Sequence, residues 1–201
     1  MKIIVSEEFL EIRGRVDAEF RRNSRLHKRR MKCCAGCTDC CHQLFSISEL
    51  EAGRVSQAVK EFEPLQRKEV SVRAERYVTE RETILRQHGY VESAGNLPKP
   101  HLRLACPLLE NGHCLIYEDR PLLCRKIGMP LVHPTDSTRV AACELNFRPG
   151  ETFEDPRLVP IQTSIQQDWV ALLKRFNNSG GQREELPITV ADAVLRDFRG
   201  V

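Results

Sequence analysis

The sequence predicts a mainly α fold with a short β-hairpin, in which helices pack around an irregular, cysteine-rich metal centre. Three observations carry this expectation. Apolar residues recur at helical spacing on both sides of the cysteines. Capping signals mark where helices begin. The nine cysteines fall into two groups along the 201 residues, at 33–41 and 106–143, instead of scattering. No strand alternates with helix in the series that would build a parallel sheet, and no internal repeat or low-complexity run is present.

The first helix is expected to open at Ser6, a capping residue followed by Glu7 and Glu8, whose charges suit the positive end of a helix. Phe9, Ile12, Val16 and Phe20 then fall on one helical face. Residues 21–32 carry seven lysines and arginines and no acid. The run Cys33 to Cys41 is too tight and irregular for a regular helix. Ser48-Glu49-Leu50-Glu51 is a capping box that starts a helix with Leu50, Val55 and Val59 inward. Pro64 suits the first turn of a longer helix to about His88, stopped by Gly89.

A turn-rich stretch from Gly95 to Pro100 leads to the second cysteine group. There Asn111-Gly112, between two apolar runs, predicts the hairpin. Glu118 to Pro121 reads as the start of a short helix carrying Cys124, after which the chain loops through Gly128 and Pro130 past Cys143. Two further helices are expected, at Pro160–Phe176 (Ile161, Ile165, Trp169, Leu172, Leu173, Phe176) and Thr189–Phe198, joined by the linker Asn177-Asn178-Ser179-Gly180-Gly181. The expected organisation is an N-terminal helix with its basic run (1–32), a cysteine-cluster metal-binding region (33–150), and C-terminal helices packed on it (151–201).

Composition narrows the function classes. With 41% hydrophobic and 29% charged residues the chain reads as a soluble globular protein. It has no run of about 18 apolar residues for a membrane span, and Ile3-Ile4-Val5 is too short for a signal peptide, so a cytoplasmic location is expected. An odd number of cysteines fits disulfide pairing poorly. In a reducing compartment, clustered thiols are metal ligands or redox groups. There is no glycine-rich phosphate loop, no catalytic carboxylate pair and no nucleophile elbow. The net charge of +3 does not mark a polyanion binder. The basic run at 21–32 leaves a nucleic-acid contact open, though a solvated helix end, or a balance for cluster charge, accounts for it more simply.

Cys34, Cys37 and Cys40 form Cys-x2-Cys-x2-Cys, the spacing with which bacterial ferredoxins supply three thiolates to a cubane cluster. Cys106-Pro107 is the one Cys-Pro pair. Eight thiols (Cys34, Cys37, Cys40, Cys41, Cys106, Cys114, Cys124 and Cys143) suffice for two tetrahedral sites or for one iron–sulfur cluster with thiols to spare. Cys40 and Cys41, as chain neighbours, are expected to point apart. Three close thiolates plus a distant one favour a [4Fe-4S] cluster on Cys34, Cys37, Cys40 and one downstream cysteine. Zinc is the alternative, because thiolate-only ligation suits it as well.

Cys33, Cys37 and Cys40 also match the spacing of radical S-adenosylmethionine enzymes, but the chain lacks the strand pattern of their barrel, and Cys33 reads as an extra thiol. His42 and His113 rank behind the thiols as ligands. Arg120 and Arg125 flank Cys124 and are expected to offset thiolate charge or donate to cofactor sulfurs, with salt bridging as the competing role. Tyr117 and Trp169 read as core.

Together, Cys34-x2-Cys37-x2-Cys40-Cys41, the helix start Ser48-Glu49-Leu50-Glu51-Ala52, Cys106-Pro107-Leu108-Leu109, and the run from Asn111 through Cys114 and Cys124 to Arg125 resemble a known family. It is the cysteine-cluster family named for the pattern CxxCxxCC (the YkgJ type), and the resemblance spans roughly Cys34 to Cys143. It implies chelation of zinc or iron by eight cysteines. Larger relatives include flagellin lysine methylases associated with an iron–sulfur cluster. Two classes therefore stand: a non-enzymatic metal or iron–sulfur protein for electron transfer, sensing or metal handling, and a cluster-dependent protein methyltransferase. Few residues outside the cysteines could form a substrate pocket, which favours the first. A protein partner is compatible with either class, and the sequence does not identify it.

Overall fold

The computed structural model describes residues 2–90, 99–134, 136–179 and 187–198. Along the chain these form α1 (Lys2–Leu26), a 3-10 turn (Asp39–His42), β1 (Gln43–Leu44), α2 (Glu49–Lys60), α3 (Pro64–Gln87), β2 (Lys99–Arg103), β3 (Leu109–Glu110) and β4 (His113–Cys114). A second 3-10 turn (Tyr117–Asp119), α4 (Leu122–Lys126), β5 (Leu131–His133), β6 (Asp136–Ala141), α5 (Leu158–Asn178) and α6 (Val190–Leu195) follow. The fold is mainly α, as the sequence predicts. Among the described residues no helix is long and apolar enough to cross a membrane. The chain divides into two compact units: residues 1–37 with 122–178, and residues 38–121 with 179–201.

In the first unit α1 and α5 pack together. Phe9, Ile12 and Val16 of α1 and Leu158, Ile165, Leu172 and Phe176 of α5 are buried, each contributing about 1.5–3 kcal/mol by leaving water. Trp169 packs on Phe9 with ring centroids 5.9 Å apart. Helix α1 begins at Lys2, four residues before the predicted cap at Ser6. Residues 2–5 contain neither proline nor glycine, and extending a formed helix adds one hydrogen bond per residue. Strands β5 and β6 pair antiparallel. Gln162 of α5 holds the start of β5, donating to the Pro130 carbonyl at 2.8 Å and accepting from the Val132 N–H at 3.0 Å.

In the second unit the predicted capping box is present. The Ser48 hydroxyl accepts from Glu51 N–H at 3.2 Å, and the Glu51 carboxylate accepts from Ser48 N–H at 2.9 Å. Leu50, Val55 and Val59 face inward. Helix α3 runs from Pro64, and Gly89 just beyond its end adopts φ +65°, which suits glycine. Thr189 caps α6 with Asp192 in a second capping box, and α6 ends at Leu195, short of the predicted Phe198. Ala191 packs with Ala74 and Tyr77 of α3, and Ser56 of α2 donates to the Ala193 carbonyl at 2.7 Å.

The predicted hairpin is β3–β4, turning through Asn111 (φ +49°) and Gly112 (φ +78°), the left-handed pair of a two-residue turn. The sequence reading missed two further antiparallel pairs, β1–β2 and β5–β6. The two residues of β1 are too few to show alternation. The linker prediction is displaced as well: α5 continues through Asn178, while Gly180 and Gly181, like Gly95 to Pro98 of the turn-rich stretch, lie outside the described residues.

Candidate metal centre

All nine cysteines are thiols and none forms a disulfide. Four of them, Cys40, Cys41, Cys106 and Cys114, belong to the second unit. Local backbone bonding brings the segments that carry them together. The 3-10 turn carries Cys40 and Cys41, and Arg103 pins its start by donating to the Asp39 carbonyl at 2.8 Å and carboxylate at 2.7 Å. The Cys106 N–H donates to the Cys41 carbonyl at 2.8 Å, and Leu104 N–H to His42 at 2.7 Å. Leu109 N–H then bonds the Cys106 carbonyl at 3.0 Å, and Leu109 pairs across the hairpin with Cys114.

Cys40 and Cys41 are consecutive on the 3-10 turn, and the Cys40 thiol interacts with the Cys41 side chain. A 3-10 turn, unlike an extended strand, does not send consecutive side chains to opposite faces. That contact, then burial, raises the Cys40 pKa, and the Arg120 guanidinium opposes the shift. Burial pushes the Cys106 thiol up to about 12, reinforced by Cys114 and Cys40 and opposed by Arg73. These thiols are protonated at neutral pH, and loading a metal on them would release protons.

Cys33, Cys34, Cys37, Cys124 and Cys143 belong to the first unit. Cys37 N–H bonds the Cys34 carbonyl at 3.1 Å in a tight turn that needs Gly36 at φ +88°, and both thiols of this Cys-x2-Cys hook are exposed. Cys124 lies on α4, whose partner is α1. Cys143 opens a turn in which its carbonyl accepts from Asn146 and Phe147 N–H, both at 2.9 Å.

Asn146 ties these segments together. Its buried side chain accepts from Lys32 N–H at 2.9 Å, and donates to the Gly128 carbonyl at 2.7 Å and to Cys33 Sγ at 3.3 Å. Gly128, at φ +113°, leaves the space in which the Cys33 sulfur sits: a Cβ there would lie 2.5 Å from it. Cys33 is exposed, with its sulfur resting against Gly128 and Asn146, and the three segments that carry Cys34, Cys37, Cys124 and Cys143 meet around one amide.

The two arginines diverge. Arg120 lies over the Tyr117 ring at 3.7 Å, with its charge in reach of Cys40. Arg125 is buried and pairs with Asp17 at 3.0 and 2.9 Å, joining α4 to α1. Tyr117 is exposed, contrary to the core reading, because the cation on its face substitutes for burial. His42 donates through Nδ1 to the Thr38 carbonyl, and the Nδ1 of exposed His113 bonds the Asn111 carbonyl, both at 2.9 Å.

Sequence reasoning missed Arg73. From α3 it donates to the Pro107 carbonyl at 2.9 Å and pairs with Glu110 at 3.0 Å, while a further guanidinium nitrogen, Nη2, is buried without a partner. Nothing in the sequence singles it out among the other arginines of α3. Among the described residues, no group of three or more Cys, His, Asp or Glu side chains is arranged to hold a metal ion. The donor chemistry, clustered thiols beside two guanidinium groups, nonetheless suits a thiolate-held metal or cluster.

Comparison with curated proteins and with solved structures finds no match. A family model, CxxCxxCC, described as "putative zinc- or iron-chelating domain", matches residues 32–144, more than half of the chain. All eight cysteines that carried the resemblance lie within that span, and the chain belongs to the CxxCxxCC family of zinc- or iron-chelating domains.

Proposed function

We propose that the protein is a non-enzymatic iron–sulfur protein of the cytoplasm, holding its cluster on cysteine thiolates for electron transfer, sensing or metal handling. The observation that carries the metal reading is the backbone bonding that brings the Cys41, Cys106 and Cys114 segments together, with Cys106 N–H donating to the Cys41 carbonyl at 2.8 Å, Leu109 pairing with Cys114, and Arg73 held on the Pro107 carbonyl. A [4Fe-4S] core of charge 2+ with four thiolates is a dianion, and the Arg120 guanidinium, in reach of Cys40, offsets part of that charge, whereas Arg73 is already paired with Glu110. Arg73 also holds the Cys106–Glu110 segment in place through the Pro107 carbonyl. When bound, a cluster supplies one-electron transfer, with a potential set partly by such neighbouring charges. The preference for iron–sulfur over zinc rests on the sequence spacing Cys34-x2-Cys37-x2-Cys40, of which Cys40 alone belongs to the second unit's thiols.

Zinc is the second reading: thiolate-only ligation suits it as well, and the matching family model is described as zinc- or iron-chelating. Both readings give a dianionic site, so charge does not separate them. Anaerobic purification followed by iron, sulfide and zinc analysis and a visible spectrum does. The proposal expects iron, acid-labile sulfide and a broad band near ~400 nm that bleaches on reduction. A colourless protein with stoichiometric zinc, and no iron after reconstitution, establishes the second reading. A protein that takes up neither overturns both. Methyl transfer to protein from S-adenosylmethionine in cell extract would overturn the non-enzymatic assignment.

A further inference from the structure

The eight cysteines that carried the resemblance divide equally between the two compact units. The unit boundaries fall after Cys37 and after Pro121, so Cys34, Cys37, Cys124 and Cys143 share the first unit. Backbone groups bonded by one residue bring their three segments together there. Lys32, two residues before Cys34, donates its N–H to the Asn146 side chain at 2.9 Å. That side chain donates in turn to the carbonyl of Gly128, four residues after Cys124, at 2.7 Å. Asn146 also closes the turn that opens at Cys143, its N–H bonding the Cys143 carbonyl at 2.9 Å. Two residues of chain put Cys34 at most about 7 Å from Lys32, and such a turn keeps Cys143 within about 7 Å of Asn146. Cys37 is tied to Cys34 by its own N–H, at 3.1 Å from the Cys34 carbonyl.

We infer that Cys34, Cys37, Cys124 and Cys143 form a second metal centre, with its own zinc or iron and sharing no ligand with Cys40, Cys41, Cys106 and Cys114. It rests on the reading of the cysteines as metal ligands and adds a second site to it. Cys34 and Cys37, with Gly36 between them at φ +88°, make a Cys-x2-Cys hook, the element that offers one metal two thiolates. Cys124 and Cys143 complete the four thiolates of a closed site. The fifth thiol of the unit, Cys33, has another partner: its sulfur accepts from Asn146 Nδ2 at 3.3 Å and rests against Gly128. Asn146 is a positioning residue, because it joins the three ligand-bearing segments without being a ligand. One cysteine run can serve two centres, as in two-cluster ferredoxins, where one cysteine of the run ligates the other cluster. Here the division falls between Cys37 and Cys40. The four side chains do not converge among the described residues; the backbone brings their segments together and the metal draws in the sulfurs. Cys34 and Cys37 are exposed, and so open to an incoming ion.

The test is zinc, iron and acid-labile sulfide per chain, measured on the full chain after anaerobic purification, in wild type and in two variants. C40S/C41S/C106S/C114S should retain part of the wild-type metal. C34S/C37S/C124S/C143S should lose that part and keep the rest, so that the two contents add up to the wild-type content. Sulfide in the retained part marks a cluster and its absence a single ion; either supports the inference. C33A should keep the full content, and a loss there would overturn the ligand set. Trp169 lies in the first unit. Stripping the metal from C40S/C41S/C106S/C114S with a chelator should therefore lower the unfolding midpoint read at Trp169 by at least ~5 °C, because binding and folding are linked. This shift decides the matter if C34S/C37S/C124S/C143S fails to fold. If the first unit of the other variant does not fold, C106S/C114S takes its place. Wild type that holds metal, beside a folded C40S/C41S/C106S/C114S that holds none, overturns the inference and leaves the proposed function standing. Retained metal whose removal leaves the Trp169 midpoint unchanged overturns it as well, and wild type without metal overturns both.

Discussion

Substituting Gly128 with alanine probes the contact with Cys33 and, through it, the joint between the cysteine-bearing segments of the first unit. Two costs add. At φ +113° any side chain is strained, worth about 1–3 kcal/mol. The new Cβ would stand 2.5 Å from Cys33 Sγ, and the sulfur must swing away, breaking its 3.3 Å bond from Asn146. Because Cys33 is exposed, its sulfur can turn to solvent, and this second cost is mainly the lost hydrogen bond, about 0.5–1.5 kcal/mol. The sum, about 1.5–4.5 kcal/mol, predicts a fall of at least ~6 °C in the unfolding midpoint of a unit this size. Trp169, the sole tryptophan, lies on α5 in the same unit, so its fluorescence follows that transition. Introduced into C33A, G128A should cost the backbone strain alone. A G128A midpoint within ~2 °C of wild type would refute the reasoning. An undiminished loss in the C33A background would show that the Cys33 contact is no part of its cause.

Other perturbations have defined outcomes. Asn146→Ala strands the Lys32 N–H and Gly128 carbonyl that its side chain now satisfies. It should destabilise the first unit by about 2–3 kcal/mol, read at Trp169, and N146D should not rescue it, because the carboxylate cannot donate to Gly128. Arg73→Gln removes a cation that opposes the upward shift of Cys106 and weakens the hold on Pro107. Loss of such a supporting group should lower metal affinity about 10–100-fold, measured by competition with a chelator. His27 packs edge-on against Phe147 and Phe153, and burial, followed by the Arg30 charge, lowers its pKa. The unfolded chain therefore binds the proton more tightly, and stability of the first unit should fall as pH drops through the usual imidazole range near 6.5. The difference in midpoint between pH 7.5 and 5.5 should shrink in H27Q, and an unchanged difference would remove His27 as its source.

How much of this was legible in the sequence depends on whether a feature is local. The α2 capping box, the start of α3 at Pro64 and the Asn111-Gly112 turn are fixed by residues within a few positions of one another, and all three were read correctly. The eight cysteines were legible as a set, because their type and spacing suffice. Their grouping was not. Cys106 reaches Cys41 through a backbone bond across 65 positions, and no local pattern encodes such a bond. Asn146 and Arg73 were invisible for the same reason: each acts through contacts with segments distant in sequence. The salt-bridging role weighed for Arg125 is realised as a buried pair with Asp17, a residue 108 positions earlier. Tyr117 was misread because an exposed ring under a guanidinium has the same composition signature as a core ring.

The central claim is that Cys40, Cys41, Cys106 and Cys114 act together as ligands. Its most direct test is metal per chain, measured by elemental analysis after anaerobic purification, in wild type and in the variant C40S/C41S/C106S/C114S. Circular dichroism and Trp169 fluorescence should first show that the first unit remains folded in the variant. The account predicts that wild type carries iron or zinc at a defined stoichiometry and that the variant loses the metal these four thiols hold. A variant that retains the wild-type metal content would contradict it.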